Sequence, residues 1–432
     1  MTQINILKSL FLVLLIGISS CKPSLKQIST SDTQEVLDKS SDFPSKKQLK
    51  ADITFLASDE LEGRETGTEG ERKAAAYIAG RFQEIGLKGI FDGAEPYFQY
   101  FQKTMRSDPH ADAPNPNDPV IKGKNVAAFM DKGKKHTIII GAHYDHLGYG
   151  KEGSLYTGPP AIHNGADDNA SGVSAMLQLA HYFKGRELDN NILFIAFSGE
   201  EKGLWGSNFF VDNSPLEIED INYMINMDMV GRLNEDRQLA VYGTGTSPSW
   251  DKLLTSTRSP VFKFTINPSG VGPSDHSSFY LEDLPVLHFF TGQHEDYHRP
   301  SDDTHKINFE GLADIVRFIS IIVNNTDGLG KLAFTKTKDE SQQAPKFKVT
   351  LGVIPDYLFD GKGMRIDGVR EGKTAHAAGL ADGDVVVKMG DLDIVDMMSY
   401  MKALSVFNPG ETVRVRIIRE GDMMMEKEVT FQ

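Results

Sequence analysis

The stretch HTIIIGAHYDHLG, from His136 to Gly148, joins an apolar run of strand length to a polar end that carries two histidines and an aspartate. Similar apolar runs recur at NVAAFM (125–130), NILFIAFS (191–198), YMINMDM (223–229) and PVLHFF (285–290). Between several of these runs, apolar residues recur at the spacing of a helix, as at Val173, Met176 and Leu177. Continuous apolar strands that alternate with helices are typical of a mostly parallel sheet covered on both faces. We therefore predict an α/β fold with a mostly parallel sheet flanked by helices on both faces.

The ends of these runs carry residue types that bind metals. They are His143, Asp145, His146, Glu200, Glu201 and Asp228. A further pair, Asp167 and Asp168, lies in the glycine-framed stretch HNGADDNASG, residues 163–172. Two adjacent carboxylates repel each other, so such a pair is either a solvated loop or a cation site. Because ligands gather at the carboxyl ends of parallel strands, four clusters of this kind in one domain favour a metal site.

Composition narrows the class of protein. The chain of 432 residues is longer than an ordinary domain with a single hydrophobic core, so more than one domain is expected. The 60 acidic and 46 basic residues give a net charge of −14, which argues against nucleic acid as a partner. Cys21 is the only cysteine, so any metal site must be built from histidine, aspartate and glutamate.

The beginning of the chain resembles an export signal. An apolar run from Leu10 to Ile18 is too short to span a bilayer comfortably, and it leads into Ile18-Ser19-Ser20-Cys21. That tetrapeptide resembles a bacterial lipobox, whose cysteine becomes lipidated. We therefore expect a lipoprotein signal peptide at 1–20, lipidation at Cys21 and an exported protein anchored in the bacterial cell envelope, on the periplasmic side or at the outer membrane. The alternative is an ordinary cleaved signal.

The rest of the chain divides into two predicted domains. A polar, aperiodic segment at 21–45 is typical of a flexible tether. The α/β domain is predicted at 46–330, with an amphipathic helix from Glu69 to Leu87. A linker at 331–345 contains the polar stretch KTKDESQQAP, and 346–432 offers short strands and two brief helical patterns. This last segment is large enough to fold independently.

The motifs and their order along the chain resemble those of the dinuclear zinc aminopeptidases of clan MH, the family of the bacterial leucyl aminopeptidases. The resemblance covers about 46–326 and rests on His143-x-Asp145, GADDNASG, Glu200-Glu201, Asp228 and DYHRPSDD at 296–303. It implies that the predicted α/β fold is doubly wound, as in the zinc exopeptidases, and that two zinc ions are the cofactors. Cobalt or manganese are possible substitutes, since histidine and carboxylate ligands also suit those metals.

The resemblance also implies a role for each residue. His143 and Asp228 would hold one zinc, Glu201 and His298 the other, and Asp167 would bridge both, while Asp168 would not be a ligand. Glu200 would be the general base, and Asp145 would orient His143. Spacing alone does not choose among four histidines that lie within eighteen positions, which are His288, His294, His298 and His305. Only the resemblance of Tyr297-His298 and the residues after it selects His298.

These residue types suit peptide hydrolysis. Two metals about 3.5 to 4 Å apart can share a water, lower its pKa and polarise the scissile carbonyl. A glutamate held off the metals can take the proton and pass it to the leaving amine. The stretch SDHSSF, 274–279, matches a family segment near the substrate pocket, so Asp275 and His276 are candidate substrate-binding residues. A plain structural role for these two is an equal alternative.

Residues 346–432 resemble a PDZ domain through TLGVIPDY (350–357) and AHAAGLADGDVVVKMGDLDI (375–394). PDZ domains bind a C-terminal peptide as an added strand, and Leu351, Gly352 and Val353 are the candidates for that role here. The alternative is a lid or packing module without a peptide ligand.

The sequence thus predicts an exported, lipid-anchored zinc exopeptidase that removes N-terminal residues from peptides with a free N-terminus. A carboxypeptidase or a glutaminyl cyclase on the same scaffold is the alternative among enzymes, and Arg232 keeps the carboxypeptidase option open as a cationic group near Asp228. An inactive peptidase fold that binds partners through its PDZ-like domain is the alternative outside enzymes.

Overall fold

The computed structural model describes residues 43–105, 115, 117–256, 261–337, 349–356, 359, 361–369, 372–395, 397–419 and 423–431. The predicted signal peptide, Cys21 and nearly all of the predicted tether lie outside these residues. Across the described ranges, no helix combines the length and apolarity needed to cross a membrane.

The first domain is built on an eight-stranded sheet with the order β1-β2-β4-β3-β5-β8-β6-β7. Its strands are β1 (Phe98–Thr104), β2 (Val120–Met130), β3 (Thr137–His143), β4 (Asn191–Phe197), β5 (Ile221–Met227), β6 (Gln238–Tyr242), β7 (Lys263–Asn267) and β8 (Val286–Phe290). The central strands β4, β3, β5 and β8 are parallel and buried along their whole length. Antiparallel pairings join β1 to β2, β2 to β4 and β6 to β8.

Helices cover both faces of this sheet. They are α1 (Lys46–Leu56), α2 (Glu69–Ile85), α3 (Gly172–Lys184), α4 (Trp205–Asp212), α5 (Pro248–Ser256), α6 (His276–Tyr280) and α7 (Phe309–Thr326). Successive strand residues point to opposite faces, so Ile138 and Ile140 pack with α1, α2, α3, α5 and α7, whereas Ile139 packs with α4 and α6. The predicted α/β fold is confirmed.

Helix α2 ends two residues before the predicted Leu87. Gly86 takes a left-handed conformation with φ of 82°, and its backbone N–H donates to carbonyls of the last turn. At the other end, the Thr68 hydroxyl accepts a hydrogen bond from the Glu71 backbone N–H, which is a typical N-cap contact.

The first domain continues into the predicted linker. The Leu332 backbone N–H donates to the Asn222 side-chain oxygen at 2.8 Å, and the rings of Phe334 and Tyr280 lie 5.6 Å apart. The Thr337 hydroxyl donates to the Tyr280 hydroxyl at 3.0 Å. Residues 331–337 therefore pack on the α/β domain, and the part of the predicted linker at 338–345 lies outside the described residues.

The second domain has its own core and a small antiparallel sheet with the order β14-β13-β11-β10-β9. Its elements are β9 (Val353–Pro355), β10 (Met364–Val369), α8 (Thr374–Ala377), β11 (Val385–Met389), β12 (Leu392–Asp393), α9 (Met397–Val406), β13 (Thr412–Arg419) and β14 (Met423–Thr430). The predicted small β-rich domain is confirmed. Strand β9 lies at the edge of the sheet, next to β10.

Candidate metal centre

The carboxylate of Asp168 lies between two histidines at the carboxyl edge of the sheet. Its Oδ1 is 3.3 Å from His143 Nε2, and its Oδ2 is 3.3 Å from His298 Nε2. His143 Nε2 is also 3.2 Å from Asp228 Oδ1, and His298 Nε2 is 3.2 Å from Glu201 Oε2. Zinc–ligand bonds of 2.0 to 2.2 Å in a tetrahedron separate the ligand atoms by about 3.3 to 3.6 Å. Two triplets of ligand atoms that share Asp168 therefore fit two zinc ions.

The prediction that Asp167 bridges the metals needs correction. Asp167 Oδ1 accepts the Gly231 backbone N–H at 2.6 Å, and Oδ2 lies 3.1 Å from His294 Nε2. The peptide bond between Asp168 and Asn169 is cis. Only Asp168 of the pair lines the cavity, and its carboxylate lies between His143 and His298. Asp168, not Asp167, is therefore placed where a carboxylate shared by two metals would lie.

His143 ends β3 and is held in one orientation. Its Nδ1 lies 3.2 Å from the Asp145 backbone carbonyl, which orients the ring so that Nε2 faces Asp168 and Asp228. Asp145 is predicted to orient this ring; its backbone oxygen makes the shorter contact, and its carboxylate Oδ1 lies 3.7 Å from the same nitrogen. Its carboxylate accepts the Glu200 backbone N–H at 3.1 Å and the Thr66 hydroxyl at 3.0 Å, so it ties three chain segments together behind the metal ligands.

His298 is oriented in the same way from a different loop. The residue has a positive φ of 53°, and its Nδ1 donates to the Gly153 carbonyl at 2.9 Å. The Leu155 backbone N–H donates a hydrogen bond to the His298 carbonyl at 3.0 Å. The loop after β3 therefore directs His298 Nε2 toward Glu201 and Asp168. Such outer contacts are typical of metal-ligating histidines.

Glu200 and Glu201 follow β4 but have opposite electrostatic surroundings. Burial raises the pKa of Glu200 well above its ordinary value, and the charges of Asp228 and Glu201 add to this effect. For Glu201 the neighbouring His298 and His146 outweigh burial and hold its pKa at about 2. Environments that push two carboxyl pKa values apart are typical of an acid–base group beside a ligand. This agrees with the predicted roles of Glu200 as base and Glu201 as ligand.

Asp302 fixes the turn that carries Asp168. Its carboxylate accepts the backbone N–H groups of Asp167 and Asp168, each at 3.0 Å, and it is fully buried. Arg64 supports the same turn from the other side, because its guanidinium donates to the carbonyls of Asn164 and Gly165. Together these contacts hold the Asp168 carboxylate where both histidines can share a cation with it.

Asp275 and His276 lie behind the cavity and do not line it. The His276 ring stacks on His288 with centroids 4.4 Å apart, and both rings are buried. Burial raises the pKa of Asp275 to about 7, with the charges of Asp145 and Asp228 acting in the same direction. The structure therefore places both predicted residues near the metal ligands but does not give them direct contact with a substrate.

The four candidate histidines differ in their partners and their exposure. His298 faces the ligand carboxylates, whereas His294 pairs with Asp167 and His305 is exposed. His288 lines the cavity, where its Nδ1 meets the Asn226 side-chain amide at 3.1 Å.

The cavity over the metal ligands has a volume of about 370 Å³. Its other walls are mostly apolar or aromatic and are formed by Leu204, Met229, Tyr242, Pro273, Phe290 and Tyr297. No lysine or arginine is among the described residues that line it. Arg232 is instead paired with Asp296 at 3.1 Å and Glu295 at 3.6 Å.

The predicted peptide-binding residues of the second domain start its edge strand. Leu351 is buried, and its carbonyl accepts the Ala375 backbone N–H at 2.7 Å. Gly352 takes a positive φ of 71°, and Val353 begins β9. This places the three residues beside an edge at which a strand can be added.

Sequence reasoning assigned no role to Arg64, His146 or Asp302, and the resemblance placed the shared ligand at Asp167 instead of Asp168. His146 and Asp302 lie inside motifs that were already recognised, and the nearby ligand types were their signal. Arg64 carries no such signal, because its role follows from buried contacts with backbone carbonyls far along the chain.

Comparisons with known proteins agree with this geometry. Residues 125–323 match the family model described as "Peptidase family M28", and 332–429 match that of the PDZ domain. Aminopeptidase YwaD of Bacillus subtilis is 32% identical over 185 residues, which cover 40% of this chain and 38% of that relative. The match thus spans well under two thirds of the relative's length.

Solved structures show the same fold. The LapA aminopeptidase of Legionella pneumophila superposes with a TM-score of 0.51 at 19% identity, covering 73% of this chain and 79% of that one. Glutaminyl cyclase of Porphyromonas gingivalis gives a TM-score of 0.53 at 14% identity, covering 66% of this chain and 99% of that one. Residues 125–323 of this chain are thus similar in sequence to peptidase family M28, and a match to the PDZ domain follows at 332–429.

Proposed function

We propose that the protein is a two-zinc aminopeptidase that removes N-terminal residues from peptides. The observation that carries this proposal is the Asp168 carboxylate, which lies 3.3 Å from a histidine on either side. Each histidine has a second carboxylate, Asp228 or Glu201, at a similar distance. The set forms two complete triplets of zinc-ligand types around one shared group.

When bound, a pair of zinc ions supplies Lewis acidity that lowers the pKa of a water and polarises a carbonyl. Glu200 lines the cavity next to this group, and its raised pKa suits a residue that must both take and return a proton. In this proposal Glu200 accepts a proton from the attacking water and then donates that proton to the leaving amine. The Glu200 backbone, held by Asp145, keeps its carboxylate at the cavity wall.

The cavity favours an aminopeptidase over a carboxypeptidase. A carboxypeptidase must bind a substrate carboxylate, which calls for a cationic side chain, and the described lining offers none. Arg232, the residue that kept this option open, is paired with Asp296 and Glu295. A substrate with a free amine instead meets a cavity rich in carboxylates. The full five-ligand set also argues against a cyclase that works with one zinc.

The test combines metal content with hydrolysis of an aminoacyl anilide by the soluble protein from residue 22 onward. We expect close to two zinc ions per chain, anilide hydrolysis that a chelator abolishes and zinc restores, and no hydrolysis of the N-acetylated anilide. Two bound metals without activity on free-amine substrates would favour carboxypeptidase chemistry. A protein without metal would contradict the proposal.

We further propose that the PDZ domain recruits a peptide or partner and does not take part in hydrolysis. Its candidate binding strand β9 lies at a sheet edge of its own domain. Ending the chain after Thr337, the last of the described residues that contact the peptidase domain, should leave kcat/KM for a small anilide unchanged. A complete loss of activity in a truncated protein that still melts cooperatively would point to a lid role instead.

Localisation in the cell envelope is proposed from Ile18-Ser19-Ser20-Cys21. We expect the wild-type protein in the membrane fraction and the Cys21→Ser variant outside it. An unchanged distribution would exclude lipidation at Cys21 as the anchor.

A further inference from the structure

His146 is a buried histidine that directly contacts one of the proposed ligands. Its Nδ1 lies 2.7 Å from Glu201 Oε1, and the side chain is 0% exposed. A carboxylate ligand can only accept, so the proton of this short contact belongs to His146 Nδ1. His146 therefore donates a hydrogen bond to Glu201.

The two oxygens of Glu201 have different partners. Oε2 faces His298 Nε2 at 3.2 Å, a separation that fits two ligands of one zinc ion. Oε1 faces His146 at 2.7 Å, which is the length of a charge-assisted hydrogen bond and too short for two atoms on a common ion. The carboxylate thus has one oxygen directed at the metal position and one held by His146.

The surroundings of His146 leave its ring little freedom. A side chain at Gly165 would come within 2.6 Å of the ring, and Gly165 itself precedes the turn with Asp167 and Asp168. The rings of His298 and His163 lie 5.9 Å and 6.5 Å from it. The His146 backbone N–H donates to the Arg64 carbonyl at 3.3 Å. The ring is fixed by packing, so the direction of its N–H is fixed as well.

We propose that His146 is a positioning residue that holds the outer oxygen of Glu201, so that the inner oxygen is presented to the second metal together with His298. This inference rests on the proposed two-zinc function and deepens it. The competing assignment makes His146 itself a ligand, since its Nδ1 also lies 3.9 Å from Asp168 Oδ2. The two assignments predict different numbers of bound zinc ions for variants that lack the imidazole ring of His146.

Zinc binding to the full soluble chain, measured by competition with a chromophoric chelator, tests this proposal. His146→Ala should still bind two zinc ions at saturation, with the weaker-bound ion held about 10- to 100-fold less tightly, as for the loss of an outer hydrogen bond. His146→Asn places an amide N–H near the position of Nδ1 and should recover most of this loss. His181→Ala, which removes an exposed histidine of α3, is the matched control and should behave as wild type.

Two results would overturn the inference. Unchanged affinity at both sites in His146→Ala would show that the contact does not position Glu201. Saturation at one zinc ion in both the Ala and the Asn variants, with melting curves like wild type, would show that His146 is a ligand. A wild-type chain that takes up no zinc would overturn the proposed function and this inference together, whereas the other two results leave the proposed function standing.

Discussion

Glu200→Gln is expected to reduce kcat by about 10²- to 10⁴-fold while the protein retains both zinc ions. Glutamine keeps the size of the side chain and a hydrogen-bonding oxygen, but it cannot take a proton from the attacking water. Glu200 lines the cavity, and its raised pKa distinguishes it from its ionised neighbour Glu201. Zinc content and single-turnover rates, measured on the same sample, check this prediction.

The matched control is Glu201→Gln, which alters a proposed ligand at the next position along the chain. That variant should lose affinity for one zinc ion, whereas Glu200→Gln should not. The comparison is informative because Glu200 lies close enough to His143 and Asp228 for the three to share a metal. Loss of zinc from Glu200→Gln, parallel to its loss of turnover, would make Glu200 a ligand and remove the proposed base.

The second large effect is expected at Asp168. Asp168→Asn replaces one of two ligand oxygens on the shared group with an amide nitrogen and removes the charge between His143 and His298. Zinc affinity should fall by more than about 100-fold, beyond the range seen for groups outside the ligand set. Anilide hydrolysis at equal zinc concentration should fall with it.

Asp167→Asn is the matched variant for this prediction. Its amide oxygen can still accept the Gly231 N–H, and its backbone N–H still reaches Asp302, so the turn should keep its shape. We expect this variant to bind two zinc ions. Its zinc affinity should be lowered by no more than about 10- to 100-fold, as for a residue that contacts a ligand but not the metal. If instead Asp167→Asn loses the metals and Asp168→Asn keeps them, the assignment of the bridge reverts to Asp167.

The sequence is sufficient to predict the fold, and it locates most of the site. Continuous apolar runs predict β3, β4, β5 and β8 as the buried parallel strands, because only a sheet covered on both faces needs such runs. Parallel strands bring their carboxyl ends to one edge, so the polar residues after three of these strands meet there. These predictions rest on periodicity, which a single sequence displays directly.

The assignment within the Asp-Asp pair could not be read from periodicity. Asp167 and Asp168 are both acidic and adjacent, and their side chains point to different partners. The direction of each is set by contacts with Gly231, His294 and Asp302, which lie 64 to 135 positions away. The same applies to His298, whose orientation depends on the Gly153 carbonyl 145 positions earlier. Long-range contacts of this kind appear only when the fold is known.

The central claim is that Asp168 bridges two zinc ions, and a crystal structure of the zinc-loaded protein with anomalous data at the zinc edge tests it most directly. We predict two anomalous peaks about 3.5 to 4 Å apart, one next to each carboxylate oxygen of Asp168. One peak should lie against His143 and Asp228, and the other against Glu201 and His298. A single peak, or two peaks with the Asp167 carboxylate between them, would contradict the account.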